Sequence, residues 1–362
     1  TRFYKIEGNQ RKFYNVSSET YEIIPGTESL VVLDNFRTQS PVYSNKEATL
    51  HDIGDGVLCL EFHSKMNAIG SGTLAAINRS IAIAEQEGWL GLVIGNDAPN
   101  FSAGANLAMM LMLAIEQEFD ELNVAIRYFQ NTVMRLRYSS IPVVIAPHGL
   151  TLGGGCEMTL HADAAVASAE AYIGLVEAGA GLIPGGGGTK EFVVRTSDSF
   201  SDIDPQLPTL QNRFTNIATA KVATSAHEAF DIGVMHADKD EVVVNAQRLL
   251  AEAKRKVLEL AHDGYVQKPQ RDDILVLGRT ALGAFYSGIE AFGISNYASE
   301  HDQLIARKLA FVMAGGDLTQ PTKVTEQYLL NLEREAFLSL LGERKTLERI
   351  QHILKTGKPL RN

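Results

Sequence analysis

The sequence predicts an α/β fold that continues into a helical C-terminal region. Between residues 57 and 146, short apolar runs typical of buried strands alternate with stretches whose apolar residues recur at helical spacing. Beyond about residue 240, strand patterns nearly disappear while helical patterns continue. The 362 residues, 45% hydrophobic and 21% charged, suffice for one large domain with an appendage, or for two domains. Repeated strand and helix units predict an α/β core.

The first 45 residues show no helical period. They combine short apolar runs, such as residues 29–33, with turn residues such as Pro25 and Gly26, a pattern that predicts short strands or a linker. The chain begins at Thr1 without an initiator Met. We therefore expect residues 1–45 to be a linker or the remnant of an upstream domain.

Residues 46–260 carry the alternating pattern and are predicted to form the catalytic core. The predicted strands are residues 57–62, 92–94 and 143–146. Two predicted helices have apolar faces formed by Leu74, Ile77, Ile81 and Ala84, and by Leu122, Ile126, Phe129, Val133 and Leu136. The polar, proline-containing segment 197–208 predicts an exposed loop.

Residues 261–362 are predicted to be a helical extension. Ser299 and Asp302 have the spacing of an N-terminal capping box. Two apolar stripes follow, formed by Ile305, Leu309 and Val312, and by Leu329, Leu332, Ala336 and Leu340. These stripes must be buried against the core or against another subunit.

Composition argues against several classes of protein. The net charge of −10 and the pI near 5.4 come without any Lys- and Arg-rich stretch, so we expect no nucleic-acid partner. Cys59 and Cys156 give neither a disulfide framework nor a thiolate cluster, and we expect no metal. The same two cysteines indicate a reducing, cytoplasmic location. The apolar run at 141–152 is short and broken by Pro, His and Gly, so we expect no membrane span.

Two glycine-containing loops and two glutamates are the candidate site. Gly153, Gly154 and Gly155 follow a predicted strand, and free N–H groups at the start of the next helix would stabilise an oxyanion there. A second loop, residues 100–107, could supply the other N–H. Glu157 and Glu177 could then divide acid and base roles. On these residues alone, tight strand-to-helix turns and structural glutamates are the favoured interpretation.

Several ordered motifs resemble the enoyl-CoA hydratase/isomerase (crotonase) family over roughly residues 50 to 260. They are Lys-Met-Asn-Ala-Ile at 65–69, Phe-Ser-Ala-Gly-Ala-Asn-Leu at 101–107, Leu-Gly-Gly-Gly-Cys-Glu at 152–157, Gly-Leu-Val-Glu at 174–177, Gly-Leu-Ile-Pro-Gly-Gly-Gly-Gly-Thr at 181–189 and Ser-Ala-His-Glu-Ala at 225–229. The resemblance implies a crotonase-like spiral of repeated β-β-α units, with a helical C-terminal region in this chain.

The resemblance also implies an activity and the residues that perform it. The backbone N–H groups of Ala105 and Gly154 would bind the thioester oxygen of an acyl-CoA. Glu157 would activate water and Glu177 would protonate the α-carbon, which is the hydration of a 2-enoyl-CoA to a 3-hydroxyacyl-CoA in fatty acid β-oxidation. Within the family the alternative is an enoyl-CoA isomerase, which generally keeps only the carboxylate matching Glu177. An alternative of another class is a non-catalytic assembly domain.

Substrate contacts follow from the same resemblance. Expected substrate-binding residues are Ser64, Lys65, Ala103, Asn106, Leu107 and Gly153. Here Asn106 replaces an aspartate often found in the family, and Ala108 and Met109 follow where a basic residue is common. Ser64 and Lys65 are therefore the candidates for contact with the CoA moiety. No separate cofactor is implied, because CoA is part of the substrate.

The C-terminal stretches resemble the end of bacterial fused proteins in which a 3-hydroxyacyl-CoA dehydrogenase precedes an enoyl-CoA hydratase. They are residues 299–309, 333–338 and 355–360. A covalent or separate dehydrogenase partner is therefore expected. No Gly-x-Gly-x-x-Gly follows a predicted strand, so we expect no NAD site in this chain. The family resemblance implies a homotrimer or a higher homo-oligomer.

Overall fold

The computed structural model describes residues 2–200 and 205–362, and the elements named below lie within them. The strands are β1 Tyr4–Glu7, β2 Gln10–Asn15, β3 Thr20–Ile23, β4 Tyr43–Ser44, β5 Ala48–Asp52, β6 Val57–Phe62, β7 Gly91–Ile94, β8 Val143–Ile145, β9 Gly149–Leu152, β10 Ala164–Ser168, β11 Ala171–Gly174, β12 Val222–Ala223, β13 Glu241–Val243, β14 Ile274–Val276 and β15 Thr322–Val324. The helices are α1 Leu33–Phe36, α2 Ser71–Glu87, α3 Leu107–Ile115, α4 Phe119–Arg137, α5 Gly154–His161, α6 Gly188–Asp198, α7 Gln206–Ala218, α8 Ala226–Asp231, α9 Leu249–His262, α10 Arg279–Ile294, α11 Glu300–Met313, α12 Glu326–Leu341 and α13 Arg344–Thr356. Short 3₁₀ turns span Lys65–Asn67, Glu177–Ala180 and Ala246–Arg248.

A seven-stranded sheet in the order β13-β10-β8-β7-β6-β5-β4 forms the centre of the fold. The run from β6 to β13 is parallel, and β4 and β5 form an antiparallel edge beside it. Every residue of β6, β7, β8 and β10 is buried. Parallel strands covered on both faces have continuous apolar sequences, which is why β6, β7 and β8 were predicted correctly.

A smaller sheet, β12-β11-β9, carries the segments next to the glycine loops. β9 and β11 are parallel, with Gly149 opposite Ala171 and Leu152 opposite Gly174. In the unit β8-β9-α5, a strand of the large sheet is followed by a strand of the small sheet and then by a helix. The unit β10-β11-α6 repeats this order. This repetition is the spiral of β-β-α units expected from the sequence, and the predicted fold class is confirmed.

Helices cover both faces of the large sheet. Buried residues of α2 and α4, including Ile77 and Leu136, pack against one face with Leu60 and Ile94. On the other face α9 packs against β7 and β8. Leu33 and Phe36 of α1 join that second cluster, although no pattern in the sequence indicated a helix there. The division at residues 45 and 260 stays a prediction.

The C-terminal helices follow the predicted pattern. Ser299 and Asp302 form the expected capping box at the start of α11. Both predicted apolar stripes are buried or partly buried in a cluster shared with α6. The predicted loop at 197–208 is shorter than expected, because α6 continues to Asp198 and α7 begins at Gln206. Residues 201–204 of that loop lie outside the described residues.

Candidate active site

The turn between β9 and α5 presents a backbone N–H at the start of a helix. Gly153 has φ 51° and ψ −119°, a conformation that favours glycine, and α5 begins at the next residue, Gly154. The Gly153 N–H donates to the Gly174 carbonyl at 3.0 Å, which ties this turn to the end of β11. The Gly154 N–H therefore lies at the N-terminal end of α5, where a negative charge is stabilised.

The second loop, residues 101–107, lies between β9 and the segment that follows the Lys65–Asn67 turn. Ser102 forms a parallel bridge to β9. On the loop's other side, the Ile69 N–H donates to the Gly104 carbonyl at 2.8 Å and the Asn106 N–H donates to the Ile69 carbonyl at 3.2 Å. Both hydrogen bonds point toward Ile69.

Ala105 lies between the two residues that bond to Ile69. The Ala105 N–H belongs to the same trans peptide group as the Gly104 carbonyl, which accepts the Ile69 N–H, so the Ala105 N–H is directed away from Ile69. A β carbon on Gly104 would stand 3.6 Å from the Gly154 nitrogen, so the two loops are close. Within the described part of the chain, neither the Ala105 nor the Gly154 N–H has a hydrogen-bond acceptor. The pair can serve as an oxyanion hole.

Glu157 lies in the first turn of α5, with 3% of its surface exposed. Its Oε1 accepts hydrogen bonds from the N–H groups of Gly186 at 2.7 Å and Gly188 at 2.9 Å. Oε2 accepts none within the described residues. A glycine segment at the start of α6 therefore holds one oxygen of the carboxylate and leaves the other available.

Glu177 opens the 3₁₀ turn that follows β11. Its Oε2 is buried and has no hydrogen-bond partner in the described residues. Its Oε1 lies against the β9–α5 turn, since a β carbon on Gly153 would stand 2.9 Å away. A buried carboxylate oxygen without a partner is costly, which is the situation expected of a group whose partner is a substrate or water.

The two carboxyl groups influence each other's ionisation. Burial, together with the negative charge of Glu177, raises the pKa of Glu157, and the N–H groups of Gly188 and Gly186 oppose the rise. Burial also raises the pKa of Glu177, with a further contribution from Glu333. Because like charges in one buried site cannot ionise independently, the pair titrates as a unit.

The predicted substrate-binding residues do not all line the site. Ala103 and Leu107 are partly buried, and Gly153 forms the β9–α5 turn. Asn106 caps α3 by accepting the Met109 N–H at 3.2 Å. Lys65 is exposed on its turn, and the partly buried Ser64 uses its hydroxyl on the Ala68 carbonyl at 2.8 Å. Their roles stay predictions.

A third buried carboxylate, Glu333 of α12, has 0% exposure and was not predicted from the sequence. Its Oε1 accepts the Gly187 N–H at 2.6 Å and its Oε2 accepts the Lys190 N–H at 2.9 Å. Two signals were available: Glu333 opens the stretch 333–338 that resembles the fused proteins, and it lies next to the Leu329 to Leu340 stripe, where a glutamate is common at the edge of an amphipathic helix.

A buried charge network lies beside these groups. The Lys190 ammonium donates to His161 Nε2 at 2.8 Å and to carboxylate oxygens of Glu191 at 3.1 Å and Glu326 at 3.2 Å. Burial lowers the pKa of His161, so its ring is neutral, and its Nδ1 bonds the Glu157 carbonyl at 2.6 Å. The network links α5, α6 and α12 around Glu157.

Metal clusters and membrane-spanning helices are both absent from residues 2–200 and 205–362. In that part of the chain, no group of three or more His, Cys, Asp or Glu side chains is placed to hold a metal ion. No helix there is long and apolar enough to span a bilayer.

Comparisons with known proteins agree with the family predicted from the motifs. A sequence model of the family described as Enoyl-CoA hydratase/isomerase matches residues 52–199. The chain is 44% identical over 358 residues to a Bacillus subtilis (strain 168) protein named "Probable 3-hydroxyacyl-CoA dehydrogenase", covering 99% of this chain and 44% of that protein. The chain spans less than half the length of the curated relatives it matches.

Solved structures share the fold. The enoyl-CoA hydratase from Bacillus halodurans matches with a TM-score of 0.56 and 17% identity, covering 83% of this chain and 98% of that one. An enoyl-CoA hydratase/isomerase from Xanthobacter autotrophicus Py2 matches with a TM-score of 0.54 and 19% identity, covering 87% of this chain and 95% of that one. At these identities the likeness concerns the fold alone.

Proposed function

We propose that the protein, whose residues 52–199 match the family model described as Enoyl-CoA hydratase/isomerase, adds water across the 2,3 double bond of a 2-enoyl-CoA. The observation that carries the proposal is the convergence of two carboxylates, Glu157 and Glu177, on one glycine turn. Glu157 lies on the helix that follows the Gly153 turn, and Glu177 lies against that turn with one buried oxygen that has no partner in the described residues.

The thioester carbonyl would bind between the two loops. Its oxygen would accept the N–H groups of Ala105 and Gly154, which have no acceptor in the described residues. Addition of water to C3 moves negative charge onto this oxygen, and N–H groups fixed in advance stabilise that charge. Each such donor contributes roughly 3 to 4 kcal/mol to transition-state stabilisation in well-studied cases.

The hydrogen bonds favour different roles for the two carboxylates. Two N–H donors on Glu157 Oε1 favour its anion, so Glu157 would accept a proton from the water whose oxygen bonds to C3. Burial raises the pKa of both carboxyls, so one of the pair carries the proton. We assign that proton to Glu177, whose Oε2 has no donor in the described residues, and Glu177 would give it to C2. Water thereby contributes its hydroxyl to C3, Glu177 supplies the proton to C2, and the starting state is restored when the proton taken up by Glu157 passes to Glu177.

Crotonyl-CoA hydration, followed as the loss of absorbance of the conjugated thioester, tests the proposal. We expect the wild type to hydrate crotonyl-CoA, and Glu157→Gln and Glu177→Gln each to lower kcat by about 10²- to 10⁴-fold, the usual range for a general acid or base. The matched control is Glu28→Gln, an exposed glutamate, which should leave kcat unchanged.

The same variants separate the alternatives. An isomerase would keep activity on a 3-enoyl-CoA in Glu157→Gln and lose it in Glu177→Gln. A non-catalytic assembly domain would bind no crotonyl-CoA, as measured by calorimetry, and the wild type would be inactive. Either result would contradict the hydratase proposal.

The wider setting is also a proposal. The match to a relative named as a 3-hydroxyacyl-CoA dehydrogenase covers 99% of this chain but less than half of the relative. This match supports a covalent or separate dehydrogenase partner that oxidises the 3-hydroxyacyl-CoA product. The homo-oligomer and the absence of any cofactor beyond CoA in the substrate rest on the family resemblance, and the proposed cytoplasmic location rests on the cysteine content. Size-exclusion chromatography with light scattering tests the oligomer.

A further inference from the structure

Glu333 and Glu157 bind alternate backbone amides of one short segment, residues 186–190. Glu157 accepts the N–H groups of Gly186 and Gly188, and Glu333 accepts those of Gly187 and Lys190. The two side chains come from two different helices, α5 and α12. Neither carboxylate can move without disturbing the segment that the other one also binds.

The segment depends on these partners for its shape. Gly187 has φ +101° in the left-handed region, and a β carbon there would stand 2.8 Å from His161. Successive N–H groups in such a turn form a concave site for anions. Because four of its N–H groups point at two carboxylates, the segment's conformation is set from both sides.

Glu333 is itself held in place. Its Oε1 is within 3.4 Å of the Gln130 Nε2, an amide that also donates to the Gly185 carbonyl at 3.0 Å. One face of α12 thus meets α6 twice, since Glu326 lies 333 − 326 = 7 residues earlier and bonds the Lys190 ammonium at 3.2 Å. Residues two turns apart share a helix face.

We propose that Glu333, on a helix outside residues 52–199, is a positioning residue that holds the Glu157 carboxylate in place through the segment 186–190. The proposal rests on the hydratase function proposed above. Glu333 would then be a part of the site that the C-terminal helical region supplies and that lies outside the residues matched by the family model. Glu333 does not contact the reacting atoms in this scheme, and acts through the segment it shares with Glu157.

The charged groups around Glu157 predict how its pKa should change when Glu333 is replaced. The groups that face Glu157 are Glu177, Glu333 and Lys190. Glu333 faces Glu157, Glu177 and Lys190, and Arg334 is its neighbour. Burial, together with the charge of Glu157, raises the pKa of Glu333. Removing the Glu333 charge should therefore make Glu157 easier to ionise.

The first test compares Glu333→Gln with Glu335→Gln, an exposed residue of the same helix. For Glu333→Gln we expect kcat for crotonyl-CoA to fall by about 100-fold, the usual effect of a small misplacement, with little change in KM. The acid limb of the pH profile of kcat should move to lower pH, because Glu157 becomes easier to ionise. Glu335→Gln should match the wild type. A Glu333→Gln variant with the wild-type kcat and pH profile would overturn the proposal.

Two further variants separate positioning from general packing. Glu326→Gln removes a buried carboxylate of α12 that bonds side chains and none of the amides of residues 186–190. We expect its crystal structure to show that segment and the Glu157 carboxylate unmoved; a displacement like that in Glu333→Asp would overturn the proposal. Glu333→Asp keeps the charge and shortens the reach, so it covers the case in which Glu333→Gln does not fold. A folded Glu333→Asp enzyme with the wild-type kcat would also overturn it.

A structural measurement keeps the two proposals distinct. If the wild type does not hydrate crotonyl-CoA, the proposed function fails, and the crystal structure of Glu333→Asp still tests the positioning. Displacement of residues 186–190 and of the Glu157 carboxylate supports it. An unmoved segment overturns it.

Discussion

Gly153 donates its backbone N–H to the carbonyl oxygen of Gly174 at 3.0 Å. This hydrogen bond extends the parallel pairing of β9 and β11 by one residue. Glu157 follows Gly153 by one helical turn, and Glu177 follows Gly174 by three residues. The pairing therefore brings together two carboxylates that are 20 residues apart along the chain.

Replacing Gly153 should disturb the site more than it disturbs the fold. In Gly153→Ala the β carbon would stand 2.9 Å from Glu177 Oε1, on a backbone with φ +51°. We expect a loss of about 1 to 3 kcal/mol of stability from the backbone conformation. Displacement of the Glu177 carboxylate and the Gly154 N–H should lower kcat by about 100-fold.

The matched control is Gly88→Ala. Gly88 ends α2 with φ 75°, and a β carbon added there would have no atom within 4 Å. The control should also lose stability, through its backbone conformation alone, and keep the wild-type kcat. Urea unfolding and crotonyl-CoA hydration measure the two effects. Equal kcat values for Gly153→Ala and Gly88→Ala would contradict the expected contact with Glu177.

Much of the site's framework was predictable because local patterns determine it. Continuous apolar runs predicted β6, β7 and β8, and the spacing of Ser299 and Asp302 predicted a cap that forms. The motifs led to Glu157 and Glu177 through the family resemblance. The β9–β11 pairing then supplies the physical reason that these residues meet.

Glu333 could not be predicted in the same way. The stripe formed by Leu329, Leu332, Ala336 and Leu340 indicates a buried helix face, and a glutamate beside it normally points to solvent. Here the amides that stabilise its charge are 146 and 143 residues away in the sequence. Only the docking of α12 on α6 brings them together. The docking of α1 on the large sheet was missed for the same reason.

The buried carboxyls should make stability depend on pH. The native pKa values of Glu157, Glu177 and Glu333 are raised above the ordinary value of 4.5. Above pH 4.5 the native state therefore binds more protons than the unfolded state, and these groups lower the free energy of unfolding as pH rises toward their native pKa values. Each group contributes a slope of at most about 1.4 kcal/mol per pH unit. The nearby Lys190 charge reduces the effect for Glu157 and Glu333.

The pH test is the difference between the wild type and Glu333→Gln. Burial lowers the pKa of His161, His236 and His301, and these groups act in the opposite sense up to their ordinary value of 6.5. They are common to both proteins, so subtraction removes them. Between about pH 5 and 8, the free energy of unfolding measured in urea should decline less steeply with pH for Glu333→Gln than for the wild type. Identical slopes would mean that Glu333 titrates normally in the native state.

Gly186 should tolerate no side chain, because the Phe129 ring occupies the space. A β carbon on Gly186 would overlap Phe129 Cε1 and would stand 2.6 Å from Glu157 Oε2. Overpacking of this kind costs about 1 to 3 kcal/mol, so we expect Gly186→Ala to lose stability in urea unfolding and to lose hydration activity. Gly288→Ala is the control, since nothing lies within 4 Å of that position in α10, and alanine there should add about 0.5 to 1 kcal/mol.

A substitution of Phe129 tests whether its ring is what excludes a side chain at Gly186. Phe129→Leu removes ring atoms beside Gly186, so the double variant Gly186→Ala with Phe129→Leu should be more stable than the sum of the two single effects predicts. Hydration activity should not return with stability, because the new methyl group still crowds Glu157 Oε2. Additive losses in the double variant would mean that Phe129 is not what excludes a side chain at Gly186. Full recovery of kcat would mean that Glu157 tolerates the methyl group and that its carboxylate is less tightly held than its two backbone hydrogen bonds imply.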